Sequence, residues 1–268
     1  MNNFSQRVIT GILFILILVG AIIYSSLTFQ LLFLWIALLS LREFYNLIKS
    51  TGSSPNSTLG LIIGCACYLI LTGIASGILS NHFAWIIIPT ASTIFVAELY
   101  RKKQNPFLNI AYTLTGIIYV IIPFAMLHYI SMVNGSYQYQ NVLGFFILLW
   151  TSDSMAYVFG KWLGKHRLFE RISPKKSWEG SVGGLISSVA VAYLLSRYFI
   201  QLTSLEWMVI AMIVVIAGTF GDLTESMLKR SINVKDSGTL LPGHGGLLDR
   251  FDGLFISVPF VLMYLMLR

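Results

Sequence analysis

Four carboxylates stand in two short runs near the end of the chain, and their spacing suits cation chemistry. In Gly221-Asp222-Leu223-Thr224-Glu225-Ser226-Met227-Leu228-Lys229-Arg230, residues Asp222, Glu225, Ser226 and Lys229 fall at i, i+3, i+4 and i+7. That spacing lines one face of a helix. A charged helix end emerging into water, with Glu225 paired to Lys229, accounts for Lys229 and Arg230. It accounts poorly for Asp222, which directly follows the apolar run 208–220. A carboxylate at mid-span costs ~2.5–3.5 kcal/mol on an insertion scale, and such a residue is by default a functional candidate. In Leu248-Asp249-Arg250-Phe251-Asp252-Gly253, Asp249 and Asp252 are three apart, so a helix starting here turns both to one side. The macrodipole at a helix N-terminus favours such acids on structural grounds alone. Beside Asp222 and Glu225, however, they repel unless a cation lies between. Oxygen-only ligands suit Mg²⁺, which takes one or two carboxylates plus substrate phosphates.

Residues suited to phosphate surround these acids. Between the two runs lies Lys235-Asp236-Ser237-Gly238-Thr239-Leu240-Leu241-Pro242-Gly243-His244-Gly245-Gly246. Gly243, Gly245 and Gly246 permit positive φ and can present amide N–H groups to an anion. Glycine clusters more often mark turns, but this one is flanked by Lys229, Arg230, Lys235, His244 and Arg250. Upstream, Ser173-Pro174-Lys175-Lys176-Ser177-Trp178-Glu179-Gly180 reads as a helix start, with Ser173 as N-cap and Pro174 at the first helical position. Anions favour that helix end, so Lys175 and Lys176 complete a phosphate clamp; for each lysine a plain basic loop explains as much. Asp153, Tyr157, Gly160, Lys161 and Gly164 form a polar, small-residue stripe on one helix, with the glycines allowing close helix approach. Asp153 is expected to face a protein-lined cavity rather than lipid.

The elements that position these groups follow from composition. The chain has 268 residues, 56% hydrophobic and 11% charged; soluble domains carry about 25% charged residues. Apolar runs near the ~20 residues needed to cross a bilayer recur at roughly 8–27, 29–48, 59–79, 83–100, 108–132, 142–163, 180–201, 205–229 and 250–267. The expected fold is an all-α polytopic integral membrane protein of about nine transmembrane helices. The first run is long and no clear Ala-x-Ala site follows it, so it is read as a helix rather than a leader. Sixteen of the 18 basic residues fall at the N-terminus and in alternate loops, leaving Arg197 and Arg268 on the other side. The positive-inside rule then puts the N-terminus and those loops in the cytoplasm. The net charge of +7 reads as this topological signal and as attraction to anionic head groups. With no basic soluble domain, nucleic-acid binding is not expected. Cys65 and Cys67 sit in an apolar run as packing residues. Nine of the eleven acids follow residue 150, only Glu43 and Glu98 preceding it. Residues 1–140 therefore read as scaffold and 141–268 as the catalytic region.

Three of these elements together resemble the phosphatidate cytidylyltransferases, or CDP-diacylglycerol synthases. They are the run from Ser226 to Asp252 (with Lys229-Arg230, Lys235-Asp236-Ser237-Gly238 and Leu241-Pro242-Gly243-His244-Gly245-Gly246-Leu247-Leu248-Asp249-Arg250-Phe251-Asp252), the Ser173–Gly180 element, and Asp153-x-x-Ala156-Tyr157-x-x-Gly160. Residues 1–140 are similar to the family only in hydropathy. The resemblance implies an all-helical membrane homodimer that joins CTP to phosphatidate with Mg²⁺, and K⁺ as a possible second cation, in the cell membrane with its site facing the cytoplasm. It implies a metal centre at Asp222 and Asp249, supported by Glu225 and Asp252. Lys176, Lys229, Lys235, His244 and Arg250 become phosphate contacts, and Ser173, Ser177 and Ser226 hydrogen-bond donors; Lys175, Gly245, Gly246 and Asp153 join the substrate-binding set and Asp236 the catalytic one. A transporter reading of the intramembrane acids is disfavoured, because the polar residues crowd toward one side. A CDP-alcohol phosphotransferase is disfavoured by the lack of an Asp-Gly-x-x-Ala-Arg run.

Overall fold

The computed structural model describes residues 3–238, 240, 243 and 245–268, with side chains from residue 8 onward. Nine helices occupy the described residues: α1 (Asn3–Tyr24), α2 (Ser26–Lys49), α3 (Ser57–Ala75), α4 (Asn81–Arg101), α5 (Pro106–Met132), α6 (Tyr139–Leu163), α7 (Trp178–Leu195), α8 (Ser204–Ser231) and α9 (Leu248–Leu267). The last eight are long and apolar enough to cross a membrane, and Val8–Tyr24 adds a shorter apolar stretch. In hydrocarbon a helix satisfies its own backbone, which is why such runs become helices regardless of intrinsic propensity. The chain is thus a polytopic, essentially all-α membrane protein. A short antiparallel ribbon, β1 (Arg167–Phe169) with β2 (Ser173–Ser177), is the departure from all-α structure among the described residues.

Local chemistry sets the boundaries. Ser25 caps α2: its hydroxyl accepts the Thr28 amide while Thr28 Oγ1 accepts the Ser25 amide, a reciprocal cap that places the first break earlier than hydropathy suggests. The third helix stops at Ala75, not 79, because the chain turns through Gly77 at φ +70°, a conformation glycine adopts without steric cost. The seventh ends at Leu195, not 201; the Ser196 hydroxyl bonds Tyr193 O and meets Ser204 Oγ, which closes a turn within an otherwise apolar stretch. The Ser173–Pro174 helix start is also corrected. Those residues lie in β2, and Ser177 is the N-cap, its hydroxyl accepting the Gly180 amide at 3.2 Å.

Two compact units result, one of Met1–Tyr129 with Ile232–Arg250, the other of Ile130–Ser231 with Phe251–Arg268. In the first, Phe33 meets Phe29 and Phe124 edge to face in a buried aromatic core. Its buried Glu98 is structural: Arg101 pairs with it at 2.6 Å, Asn109 donates to it at 2.9 Å, and both also bond the turn at Ser54. In the second, α6, α7 and α8 pack through small residues. A Cβ on Gly180 would lie 2.6 Å from Ala156 O and 3.1 Å from Gly160 Cα, so these positions let α6 and α7 approach closely. Gly144 faces the fully buried Trp207 ring, which a Cβ there would overlap. Gly144→Leu is expected to cost about 1–3 kcal/mol or more through overpacking. It should lower the melting midpoint of the detergent-purified protein; an unchanged midpoint would count against this packing.

Candidate active site

In the second unit, glycine contacts bring the acids of two helices together. A Cβ on Gly221 would lie 2.5 Å from Asp252 O, and Gly218 and Gly253 lie within 3.7 Å of each other by the same measure. This close crossing of α8 with the second turn of α9 places Asp252 within electrostatic reach of Asp222, Glu225 and Asp153. Sequence reasoning took the acids and passed over Gly218, Gly221 and Gly253, the residues that make their convergence possible; the Gly-x-x-Gly spacing in α8 was the available signal.

Two lysines meet this group. Lys176 Nζ, carried on β2, lies 2.5 Å from Asp222 Oδ2, and Ser226 Oγ bonds Asp222 Oδ1 at 3.2 Å. Lys229 Nζ lies 2.5 Å from Glu225 Oε2, one turn back on the same helix, with Glu225 buried. These ion pairs offset the charges of Asp222 and Glu225. The expected Glu225–Lys229 pairing is therefore present. Asp153 is exposed, while Asp252 is half-buried with Oδ1 accepting the Gly253 amide at 2.7 Å. Lys175 is exposed on the same ribbon. The ribbon is anchored by Glu179, which accepts the Lys165 and His166 amides and meets His166 Nδ1 at 2.7 Å. This carboxylate–imidazole contact was not foreseen.

The first unit holds the other half of the motif. Asp249 is a half-buried staple: the Ser237 amide donates to Oδ2 at 2.9 Å and to Oδ1 at 3.2 Å, and the Gly246 amide donates to Oδ2 at 2.8 Å. The Gly246 N–H thus serves the chain's own carboxylate. Gly243 and Gly245 do adopt positive φ, +77° and +80°, and a Cβ on Gly245 would meet Asp249 Oδ2 at 2.7 Å. Lys235, Asp236 and Arg250 are exposed; His244 lies outside the described residues. Asp222 and Asp249, the pair singled out from the resemblance, belong to different units.

The donor set fits a hard divalent cation in chemistry. Every candidate ligand is a carboxylate, and at Asp249 the Ser237 and Gly246 amides already donate to its oxygens. Among the described residues no three His, Cys, Asp or Glu side chains form a ready-made cage.

The carboxylates and lysines of the second unit are carried on an essentially all-α membrane scaffold. Residues 5–268 match the family model described as the cytidylyltransferase family. The chain belongs to that family. It is 34% identical over 258 residues to the phosphatidate cytidylyltransferase of Staphylococcus haemolyticus, covering 94% of this chain and 95% of the relative. The enzymes of the same name from Staphylococcus epidermidis and Staphylococcus aureus are each 33% identical, again over 94% of this chain and 95% of theirs.

Proposed function

We propose that this protein condenses CTP with phosphatidate to give CDP-diacylglycerol and pyrophosphate, an early step of phospholipid synthesis. The observation that carries the reading is the convergence of Asp153, Asp222, Glu225 and Asp252 with Lys176 in one unit, in a chain of the cytidylyltransferase family. A phosphate oxygen of the lipid attacks the α-phosphorus of CTP, a new P–O bond forms, and the bond to the β-phosphate oxygen breaks. The nucleophile is already an anion, so neither a general base nor a covalent enzyme intermediate is needed. Lys176, Lys229, Lys235, His244 and Arg250 orient the triphosphate by charge, and Ser226 holds Asp222 in place. Carboxylates among Asp222, Glu225, Asp249 and Asp252 would hold Mg²⁺, which when bound would supply neutralisation of the charge that develops on the phosphates. The basic residues that favour a cytoplasmic N-terminus support a site on the cytoplasmic side, where CTP would arrive from water and phosphatidate from the leaflet. A homodimer belongs to the same proposal.

Purified protein in detergent, given radiolabelled CTP, phosphatidate and Mg²⁺, is expected to form labelled CDP-diacylglycerol. EDTA should stop turnover and excess Mg²⁺ restore it. No product under conditions where the Staphylococcus aureus relative is active would sink the activity; full turnover in EDTA would remove the metal.

A further inference from the structure

The acid that reaches furthest across the sequence is Glu43, near the end of α2 and buried at 6% exposure. Its Oε2 accepts the amide of Leu248, 205 residues away, at 3.1 Å. Leu248 opens α9, and the first amides of a helix have no partner within it. An anionic acceptor there is also favoured by the helix dipole. Asp249 is a charged neighbour of the same carboxylate. Two glycines are required by this arrangement. A Cβ on Gly238 would lie 2.7 Å from Glu43 Oε1, and one on Gly246 2.6 Å from Oε2. Glu43 thus touches both strands of the loop that Asp249 staples, as well as the helix end from which Asp249 projects.

Resting on the activity given above, we propose that Glu43 is a positioning residue of the CTP site. Through Leu248, Gly238 and Gly246 it fixes residues 237–238 and 245–248, and with them the Asp249 carboxylate and the flanking basic side chains. It touches no substrate. A carboxylate-sized acceptor is the requirement, so Gln, which keeps one carbonyl oxygen, should serve and Ala should not.

The test compares Glu43→Ala and Glu43→Gln in the full-length protein in detergent. Glu43→Ala is expected to raise the KM for CTP about fivefold or more, on the scale of one lost hydrogen bond to a charged group, with the KM for phosphatidate within about twofold. Glu43→Gln should stay close to wild type in both. A reduced fraction of folded enzyme would lower kcat without moving either KM. Hydrogen exchange at Gly246, Leu247 and Leu248 should quicken about tenfold in the Ala variant only. An unchanged CTP KM, or unchanged exchange at these amides, overturns the proposal. Should Glu43→Ala not fold, Gly238→Ala pushes the same carboxylate from the opposite side and should raise the CTP KM likewise; an unchanged value there overturns it too. Wild-type protein without CTP- and phosphatidate-dependent turnover defeats the activity reading, while the exchange measurement still judges Glu43.

Discussion

Asp249→Asn is expected to lower turnover by about 100- to 1000-fold, the scale seen when one preorganised electrostatic group is removed. Asp249 accepts the Ser237 and Gly246 amides through both oxygens. An asparagine offers one carbonyl oxygen and turns an NH₂ group toward the other position. With that carbonyl oxygen in the Oδ2 position both amides keep an acceptor, now neutral, and the longer Ser237 contact is lost, so the bonds fall from charge-assisted to ordinary strength. The negative charge proposed for the metal is lost as well. Turnover and amide exchange at Ser237 and Gly246 should be measured on the same folded preparation. Turnover within about threefold of wild type would remove Asp249 from the site, since even one lost stabilising group costs far more.

Asp222→Asn should be at least as damaging, again about 1000-fold, and the more instructive comparison is with Lys176→Ala. Lys176 reaches Asp222 from the ribbon at 2.5 Å, with each side chain about a third exposed or less. If the lysine serves both to hold Asp222 and to orient the triphosphate, its loss costs about 100-fold. The double variant should then be no slower than Asp222→Asn alone, because the two groups act as one unit. Strictly multiplicative losses would separate their roles and contradict that coupling.

The spans were legible because a membrane imposes one length and one composition on nearly every element, so α2, α5, α6 and α9 fell within a few residues of the hydropathy limits. The ribbon was not. Ser173-Pro174-Lys175-Lys176-Ser177 has no apolar alternation, and a serine before a proline suits a helix start as well as a strand. What decides is the antiparallel register with Arg167–Phe169 and the amide of Trp178 donating to His166 O, neither of which leaves a local mark. The motif acids were legible by type and spacing. Their partners were legible only in part: Glu225–Lys229 is an i, i+4 pair within one helix, whereas Lys176–Asp222 and Glu43–Leu248 join distant segments. Glu43 sits beside Arg42 near the end of an apolar helix, where an acid reads as ordinary boundary charge.

The 205-residue interval between Glu43 and Leu248 also dictates a birth order. At synthesis rates of about 5–20 residues per second, Leu248 is joined to the chain roughly 10–40 s after Glu43. Helix α2 therefore enters the bilayer with its acid well before the amide it will hold has been made. A ribosome that stalls before α9 leaves behind a nascent chain in which Glu43 has no Leu248 amide to hold and the loop lacks the Asp249 carboxylate that staples it.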